Sequence, residues 1–337
     1  MIDLQDYGFN ASETDIPAGL VPARITQVHR ERYQAVCPYG EVDARLKGTY
    51  QRQVTDRDDY PAVGDFVMIR YNESGTSLIT ERLPRRSKFS RSDFSGHAAG
   101  YVKTIREQVV AANFDTVFIL SSLNQDFNLS RISRYLTLAR QSGGTPVIIL
   151  SKADLCEDCE AHVSATKEMA RDVDVIALSS LTGRGLDRLR PYLQPAATIV
   201  FLGMSGVGKS SLLNALAGTA LMEVKAIRET DARGRHTTTH RQLFQLPSGV
   251  MVIDTPGMRE MGLWDADSGI SASFADIEVI IARCRFSNCQ HNTEPGCAIQ
   301  AALADQSLPQ EQWDSYLAQR REAAFVARRI KPPRHRT

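Results

Sequence analysis

The sequence predicts an α/β protein in which a small β-barrel precedes a larger domain built on a parallel sheet, with a helical region after it. Three observations support this prediction. Short β-like runs fill residues 21–85, apolar runs alternate with helical segments over residues 105–265, and a loop rich in cysteine and histidine lies within residues 266–337. Residues 1–20 then form an N-terminal tail, and residues 86–104 form a linker between the barrel and the sheet domain.

Composition excludes several classes of protein. The 337 residues, 42% of them hydrophobic, can bury more than one core, and the net charge of +1 excludes an overall polycation. No apolar run approaches the roughly 18 residues of a membrane-spanning helix. The first residues are acidic and polar rather than signal-like. We therefore expect a cytoplasmic protein that does not contact a membrane.

The surface of the predicted barrel is expected to carry basic and aromatic residues of a kind that contact nucleic acid. Four or five short strands within residues 21–85, with no helical period, are typical of an OB-like barrel. These side chains suit a phosphate backbone and stacked bases, although an ordinary charged β-surface explains them equally well. They are Arg30, Arg32, Tyr33, Lys47, Tyr50 and Arg52. The segment that follows is rich in Pro, Gly and Ser without an apolar period, which predicts the linker.

The C-terminal stretch is strongly basic, with Glu322 as its one acidic residue. Such a block indicates contact with nucleic acid or with a ribosome, and a merely solvated basic helix is the alternative. Its basic residues are Arg320, Arg321, Arg328, Arg329, Lys331, Arg334 and Arg336.

The middle of the chain reads as a parallel sheet covered by helices on both faces. Continuous apolar runs rich in β-branched residues are typical of strands buried on both sides. They lie at residues 115–120, 145–150, 174–178, 197–202 and 250–254, with helical spacing between several of them.

A phosphate-binding loop follows the fourth of these runs. Residues 203–210, GMSGVGKS, fill every position of G-x-x-x-x-G-K-[ST] between a predicted strand and a predicted helix. In this motif backbone amides wrap the phosphates, Lys209 reaches the β- and γ-phosphates, and Ser210 holds Mg²⁺. The predicted contacts are Gly203, Met204, Ser205, Gly206, Val207, Gly208, Lys209, Ser210 and Ser211.

Two further segments complete a predicted triphosphate site. The run DTPG ends the last strand, so Asp254 is expected to complete the Mg²⁺ shell and the Gly257 amide to bind the γ-phosphate. The segment GRHTTTH at residues 234–240 resembles a switch, and Thr238 is the predicted Mg²⁺ ligand within it. A threonine-rich loop or strand edge is the alternative for any one of these threonines.

The residue after DTPG is Met258, where Ras-like enzymes place a glutamine that orients the attacking water. Methionine cannot do this, so another polar group is needed. His236 is the nearest candidate in sequence because its unperturbed pKa lies near neutrality. A solvated loop histidine is the alternative interpretation.

Guanine specificity is predicted from two loops that precede the phosphate loop. Ser151, Lys152, Ala153 and Asp154 follow a strand in the order of the N-K-x-D loop, with Ser151 in place of the usual asparagine. The Asp154 carboxylate would accept the two donors of the guanine edge, which disfavours an ATPase. In the run SSLTGRG, Ser179 and Ser180 are expected to offer backbone amides to guanine O6.

The order of base loops, phosphate loop, switch and DTPG indicates a circularly permuted GTPase, since ligands bind at strand ends whatever their order in the chain. With a barrel before and a Cys/His cluster after, this order resembles the RsgA (YjeQ-like) family over residues 20–330. The resemblance implies a slow GTPase with GTP, GDP and Mg²⁺ as ligands, stimulated by the small (30S) ribosomal subunit. It also implies a role in late maturation of that subunit and a catalytic role for His236.

The cysteine spacing predicts a structural zinc site. Cys284, Cys289, His291 and Cys297 supply three thiolates and an imidazole, a closed tetrahedral set that disfavours a zinc hydrolase. A fortuitous cluster is the alternative, and the resemblance also places one Zn²⁺ here. The pair Cys156 and Cys159 is interpreted as ordinary packing.

We therefore expect a GTPase that binds 16S rRNA of the small subunit through the barrel and the zinc region, as a monomer without affinity for DNA. Two alternative functions stay open at this point. A nucleotide-sensing RNA-binding module would show no GTP turnover even on the ribosome. A tRNA-handling GTPase would be stimulated by tRNA instead.

Overall fold

The computed structural model describes residues 1–29, 32–54, 57–93, 106–124, 127–220, 242–254 and 266–328. Its strands are β1 (Val21–His29), β2 (Arg32–Cys37), β3 (Gly40–Leu46), β4 (Phe66–Arg70), β5 (Ser77–Arg82), β6 (Lys88–Asp93), β7 (Arg106–Ala112), β8 (Thr116–Ser122), β9 (Thr145–Ser151), β10 (Asp174–Ala177), β11 (Thr198–Leu202), β12 (Gln242–Gln245) and β13 (Met251–Asp254). Its α-helices are α1 (Gly48–Gln53), α2 (Leu129–Ser142), α3 (Cys159–Ala170), α4 (Lys209–Ala217), α5 (Asp267–Ser273), α6 (Ala275–Ile281), α7 (Ala298–Ala304) and α8 (Gln310–Ala327).

Strands β1 to β5 close into the predicted barrel. β1 pairs with both β2 and β4, and β5 joins β3 to β4. Alternate residues point inward, and Ile25, Ala35, Val67 and Ile79 are fully buried there. Tyr33 is also inside, with 2% of its surface exposed, so its expected place on the outer surface is wrong.

The predicted parallel sheet is confirmed. Its strand order is β10-β9-β8-β11-β13-β12, with β12 antiparallel to β13 and the other pairs parallel. Successive residues of each strand alternate between two cores because side chains alternate in direction along a strand. One core contains residues of α2, α3 and the C-terminal helices, and the other contains Leu212 and Leu213 of α4.

The sheet continues into the barrel, which the sequence did not predict. β12 pairs with β1, with Gln242 opposite Gln27, so the described strands of both regions form one eleven-stranded sheet. The segment predicted as a linker also has structure, since β6 pairs with β7 in a separate two-stranded sheet. Phe89 of β6 is buried against Phe114, so this strand is attached to the protein core.

The C-terminal helices pack on α2. Arg134 of α2 forms an ion pair of 2.8 Å with Glu322 of α8, the acidic residue of the basic stretch. Phe274, which follows α5, meets the Tyr316 ring of α8 edge-on, and Tyr316 stacks on Trp313 of the same helix. Arg320 pairs with Asp267 at 2.9 Å, and residues 329–337 of the basic stretch lie outside the described residues. None of the helices described is both long and apolar enough to cross a membrane.

Candidate nucleotide-binding site and metal centre

The phosphate loop connects β11 to α4 in the conformation that its glycines permit. Gly203, Gly206 and Gly208 have φ angles of 154°, 77° and 102°, in the range that L side chains rarely adopt. A Cβ atom on Gly203 would also lie 2.8 Å from the carbonyl oxygen of Leu120. The backbone amides of this loop therefore lie beside the positive end of α4, an arrangement suited to phosphate.

Lys209 begins α4, and its side chain folds back over the loop. Its Nζ atom donates to the carbonyl oxygens of Gly203 and Met204, each at 2.6 Å. Ser210 follows it on the first turn of the helix, and Ser205 and Gly206 are exposed at the loop surface. The ammonium group is thus held at the centre of the loop that would surround the phosphates.

The first base loop follows β9. Lys152 adopts a left-handed conformation, with φ of 59°, and Asp154 lies beyond it with its carboxylate exposed. The amide of buried Ala153 donates to the carbonyl of Leu178 at 3.1 Å, which joins this loop to the end of β10. Asp154 is therefore presented at the same sheet edge as the phosphate loop, because both loops follow parallel strands.

Ser151, the departure from the usual asparagine, connects the base loop to the phosphate loop. Its side chain is buried, and its hydroxyl donates to the carbonyl of Val207 at 2.6 Å. Gly208 packs directly above it, where an added Cβ atom would lie 3.7 Å from the Ser151 hydroxyl. The shorter side chain therefore still braces the two loops against each other.

The second base loop differs in part from the expectation. Ser179 is fully buried, its amide donates to the carbonyl of Arg184, and its hydroxyl accepts from the amides of Leu181 and Thr182. Its amide is thus engaged within the protein, so Ser179 shapes the loop rather than facing a ligand. Ser180 is partly exposed and stays the predicted contact.

The end of β13 brings Asp254 to the same edge. β13 lies beside β11, and the side chain of Asp254 is partly exposed. Ser210 and Asp254 supply the hydroxyl and carboxylate oxygens that Mg²⁺ prefers. The remaining predicted residues, His236, Thr238 and Gly257, lie outside the described residues, as does Met258.

Arg131 is a neighbour of the phosphate loop that the sequence motifs did not indicate. It lies in the first turn of α2, whose N-cap is Asn128, and its guanidinium donates to the sulfur of Met204 at 2.6 Å. An arginine in an ordinary amphipathic helix gives no sequence signal of this contact, since α2 precedes the phosphate loop by some 70 residues.

The predicted metal ligands come together between α6 and α7. The ligand atoms of Cys284, Cys289, His291 and Cys297 all lie within 4.8 Å of one another. The Nδ1 atom of His291 lies 3.5 Å from the Cys284 sulfur and 3.6 Å from the Cys297 sulfur, so Nδ1 is the nitrogen that faces the cluster. Three thiols and one imidazole at this separation fit a closed zinc site.

The loop around this cluster is held by polar contacts. The carboxylate of Glu294 accepts from the amides of Gln290, Asn292 and Thr293, and these backbone donors hold its pKa below the ordinary value. The His291 ring meets the Trp313 ring edge-on at 5.6 Å. The ligand loop is therefore positioned by its own backbone and by α8.

Comparisons with known proteins agree with this geometry. The model of the RsgA GTPase family matches residues 82–264. The chain is 43% identical to the small ribosomal subunit biogenesis GTPase RsgA 2 of Listeria monocytogenes over 333 residues, covering 98% of this chain and 92% of that protein. It is 39% identical to the small ribosomal subunit biogenesis GTPase RsgA of Opitutus terrae, covering 97% and 90% of the two chains.

Solved structures share the fold. YjeQ from Thermotoga maritima superposes with a TM-score of 0.63 at 24% identity, covering 89% of this chain and 96% of that one. YloQ, described as a circularly permuted GTPase, gives a TM-score of 0.62 at 24% identity, covering 94% and 99%. The permuted fold predicted from the motif order is thus confirmed.

Proposed function

The chain belongs to the RsgA GTPase family, and we propose that its phosphate loop and base loops form the site of that family's reaction. The protein is a GTPase of small ribosomal subunit biogenesis that hydrolyses GTP to GDP and phosphate. The observation that carries the assignment to this site is the 2.6 Å bond from Ser151 to Val207. It joins the loop that would read a base to the loop that would hold phosphates, as one nucleotide requires.

Each described loop has a role in this proposal. Asp154 accepts from the guanine edge while Lys152 packs over the ring, and Ser180 supports the base from the second loop. Lys209 binds the β- and γ-phosphates, and its present bonds to two backbone carbonyls give way to the charged oxygens. Mg²⁺ belongs to this chemistry, and Ser210 and Asp254 would hold it and so offset the phosphate charge.

Three further roles rest on the sequence motifs. Thr238 would bind Mg²⁺ in the triphosphate state, Gly257 would donate its amide to the γ-phosphate, and His236 would orient the attacking water. The presence of Met258 supports the last role, because methionine cannot orient water. Hydrolysis then depends mainly on positioning and charge stabilisation.

The metal cluster is assigned one structural Zn²⁺. Its four donors leave no open coordination position, so the ion would supply folding free energy rather than catalysis. Cys284, Cys289, His291 and Cys297 would hold it.

The proposed partner is the small (30S) subunit, through its 16S rRNA. The barrel and the basic end of the chain supply the charges that rRNA phosphates attract. We further propose a cytoplasmic monomer that acts on neither DNA nor membranes.

GTP turnover with and without purified small subunits tests the function. A large rise with GTP and the small subunit is expected, and ATP, large subunits and tRNA serve as controls. Stimulation by tRNA alone would favour a tRNA-handling enzyme, and flat turnover despite tight GTP binding would favour a nucleotide sensor. Asp154→Asn should shift preference from GTP to xanthosine triphosphate, and His236→Ala should slow turnover while GDP affinity stays nearly unchanged.

A further inference from the structure

Arg131 brings a positive charge to the rim of the phosphate loop. Its Nη1 atom donates to the Met204 sulfur at 2.6 Å, and Met204 directly follows the first glycine of the loop. The backbone of a phosphate loop cradles the β- and γ-phosphates. A guanidinium at Met204 therefore lies beside the place where the terminal phosphate would bind.

The surroundings of Arg131 form a concave surface rather than a flat one. A small cleft lies between the end of β8, the first turn of α2 and the phosphate loop, and Arg131, Ser122, Met204 and Ser205 contribute to its lining. Ser122 is the last residue of β8, so the cleft opens at the carboxyl edge of the sheet, where ligands of parallel sheets bind.

The helix holds Arg131 at this edge. The Asn128 side chain accepts from the Arg131 amide at 2.8 Å and so fixes the first turn of α2. Arg134, one turn later, is occupied by its ion pair with Glu322 on α8. These two of the three arginines of α2 thus have different surroundings, since Arg134 contacts α8 and Arg131 contacts the phosphate loop.

A phosphate oxygen would be a stronger hydrogen-bond acceptor for Arg131 than the Met204 sulfur is. A thioether sulfur is a weak acceptor, whereas guanidinium–phosphate hydrogen bonds are charge-assisted and can be bidentate. In GTPases an arginine at the γ-phosphate stabilises the charge of the transition state.

We propose that Arg131 is a catalytic arginine supplied within the chain, which binds the γ-phosphate of GTP during hydrolysis. This inference rests on the proposed function. In the reaction the water oxygen bonds to the γ-phosphorus, and the bond to the β–γ bridging oxygen breaks with its electron pair leaving on GDP. The water proton ends on phosphate or solvent. Arg131 stays protonated and stabilises the oxygens of the transferred group.

Arg131→Ala tests this role in the full-length chain with saturating small subunits. We expect single-turnover GTP hydrolysis to fall by at least about 100-fold, given what such arginines contribute elsewhere. GDP affinity should stay within about twofold, while affinity for a non-hydrolysable GTP analogue falls by more, because only the triphosphate offers the γ-oxygens. Arg131→Lys should recover part of the rate, since it keeps the charge without the planar fork.

Two control variants separate catalysis from structure. Arg140→Ala removes an arginine at the other end of α2, whose side chain is only 14% exposed and pairs with Asp172, and should hydrolyse GTP like the wild type. Ser130→Ala changes an exposed neighbour of Arg131 in the first turn of α2, and it should also retain the wild-type rate. If Ser130→Ala reproduced the Arg131→Ala loss, the integrity of this helix turn rather than the guanidinium would set the rate, and the catalytic role would be overturned.

The outcomes distinguish this inference from the function on which it rests. Wild-type hydrolysis on the subunit with an unchanged Arg131→Ala rate would overturn the inference alone. Flat wild-type turnover would overturn the proposed function and the inference with it. If Arg131→Ala lost its thermal unfolding transition, Arg131→Lys would decide, because a rate equal to wild type in that variant is incompatible with guanidinium binding to the γ-phosphate.

Discussion

The barrel and the cysteine-rich loop lie on either side of the central sheet in the sequence, and different kinds of contact hold them in place. The barrel is joined to the sheet by contacts between residues far apart in the chain, such as the pairing of β1 with β12. The cysteine-rich loop contains four candidate metal ligands within residues 284–297, whose ligand atoms lie close together. Candidate ligands that lie close together in the sequence can be recognised as a motif. The contact region between the barrel and the sheet, called the seam below, is formed by segments far apart in the chain and has no sequence motif.

Arg24 is the centre of the seam between barrel and sheet. It is fully buried on β1, and its guanidinium donates to the carbonyl oxygens of Tyr7, Gly64 and Asn113 and to the Met251 sulfur of β13. Burial lowers its pKa to about 9, which the charge of Asp115 opposes. At neutral pH the side chain is thus a buried cation shared by the N-terminal segment, the barrel and the sheet.

Of the changes to these two regions, removing the proposed zinc should have the largest effect on stability. Structural zinc contributes on the order of 10 kcal/mol of folding free energy to small domains, because without the ion nothing cross-links the ligand residues. We expect Cys289→Ser to lose zinc and to lower the melting temperature, as measured by metal content and circular dichroism. A strong chelator should do the same to the wild type.

Cys156→Ser is the matched control for the zinc variant. Cys156 is partly exposed outside the cluster, so its loss should leave zinc content at wild type. A Cys289→Ser protein that kept both its zinc and its melting temperature would contradict the proposed metal centre.

Breaking the seam at Arg24 should have the second largest effect. Arg24→Ala leaves a cavity and deprives the Tyr7 and Asn113 carbonyls of their donor, which together should cost about 4 kcal/mol. Urea unfolding followed by circular dichroism measures this. Arg45→Ala, at an exposed barrel position, should change stability by less than about 0.5 kcal/mol. Equal midpoints for the two variants would show that the seam is not held by Arg24.

The contrast explains how much of the molecule the sequence could predict. The apolar runs predicted the parallel strands, and the glycine spacing predicted the position of the phosphate loop, because both depend on local chemistry. The pairing of β1 with β12, the inward position of Tyr33 and the contact of Arg131 with Met204 depend on how distant elements meet. Domain limits and the roles of the individual site residues stay predictions.

A substitution at Gly64 tests the seam more sharply than one at Arg24, because Gly64→Ala adds only one carbon atom. Its φ is 91°, and a Cβ atom there would lie 2.1 Å from the Ala112 carbonyl oxygen and 2.9 Å from Ile253 of β13. Gly40 also has a positive φ, of 122°, but a Cβ atom there meets no described atom within 4 Å. Gly64→Ala should therefore destabilise the protein by about 2 kcal/mol more than Gly40→Ala, and similar urea midpoints would contradict a tight seam.

The bond between Ser151 and Val207 should show the smallest effect, and it tests long-range contact inside the nucleotide site itself. Ser151→Ala leaves the Val207 carbonyl without this donor, at a cost of about 1 kcal/mol, because the bond is single and uncharged. Since Val207 belongs to the phosphate loop, GDP affinity should fall by roughly fivefold while the melting temperature changes little. Ser130→Ala, on the exposed face of α2, is the control, and fluorescence titration with a labelled GDP measures both variants.

Ser151→Asn restores the usual side chain and should bind GDP at least as well as the wild type. Unchanged affinity in Ser151→Ala would mean that the two loops keep their positions through the strands that carry them, and that this hydroxyl adds nothing to the permuted site.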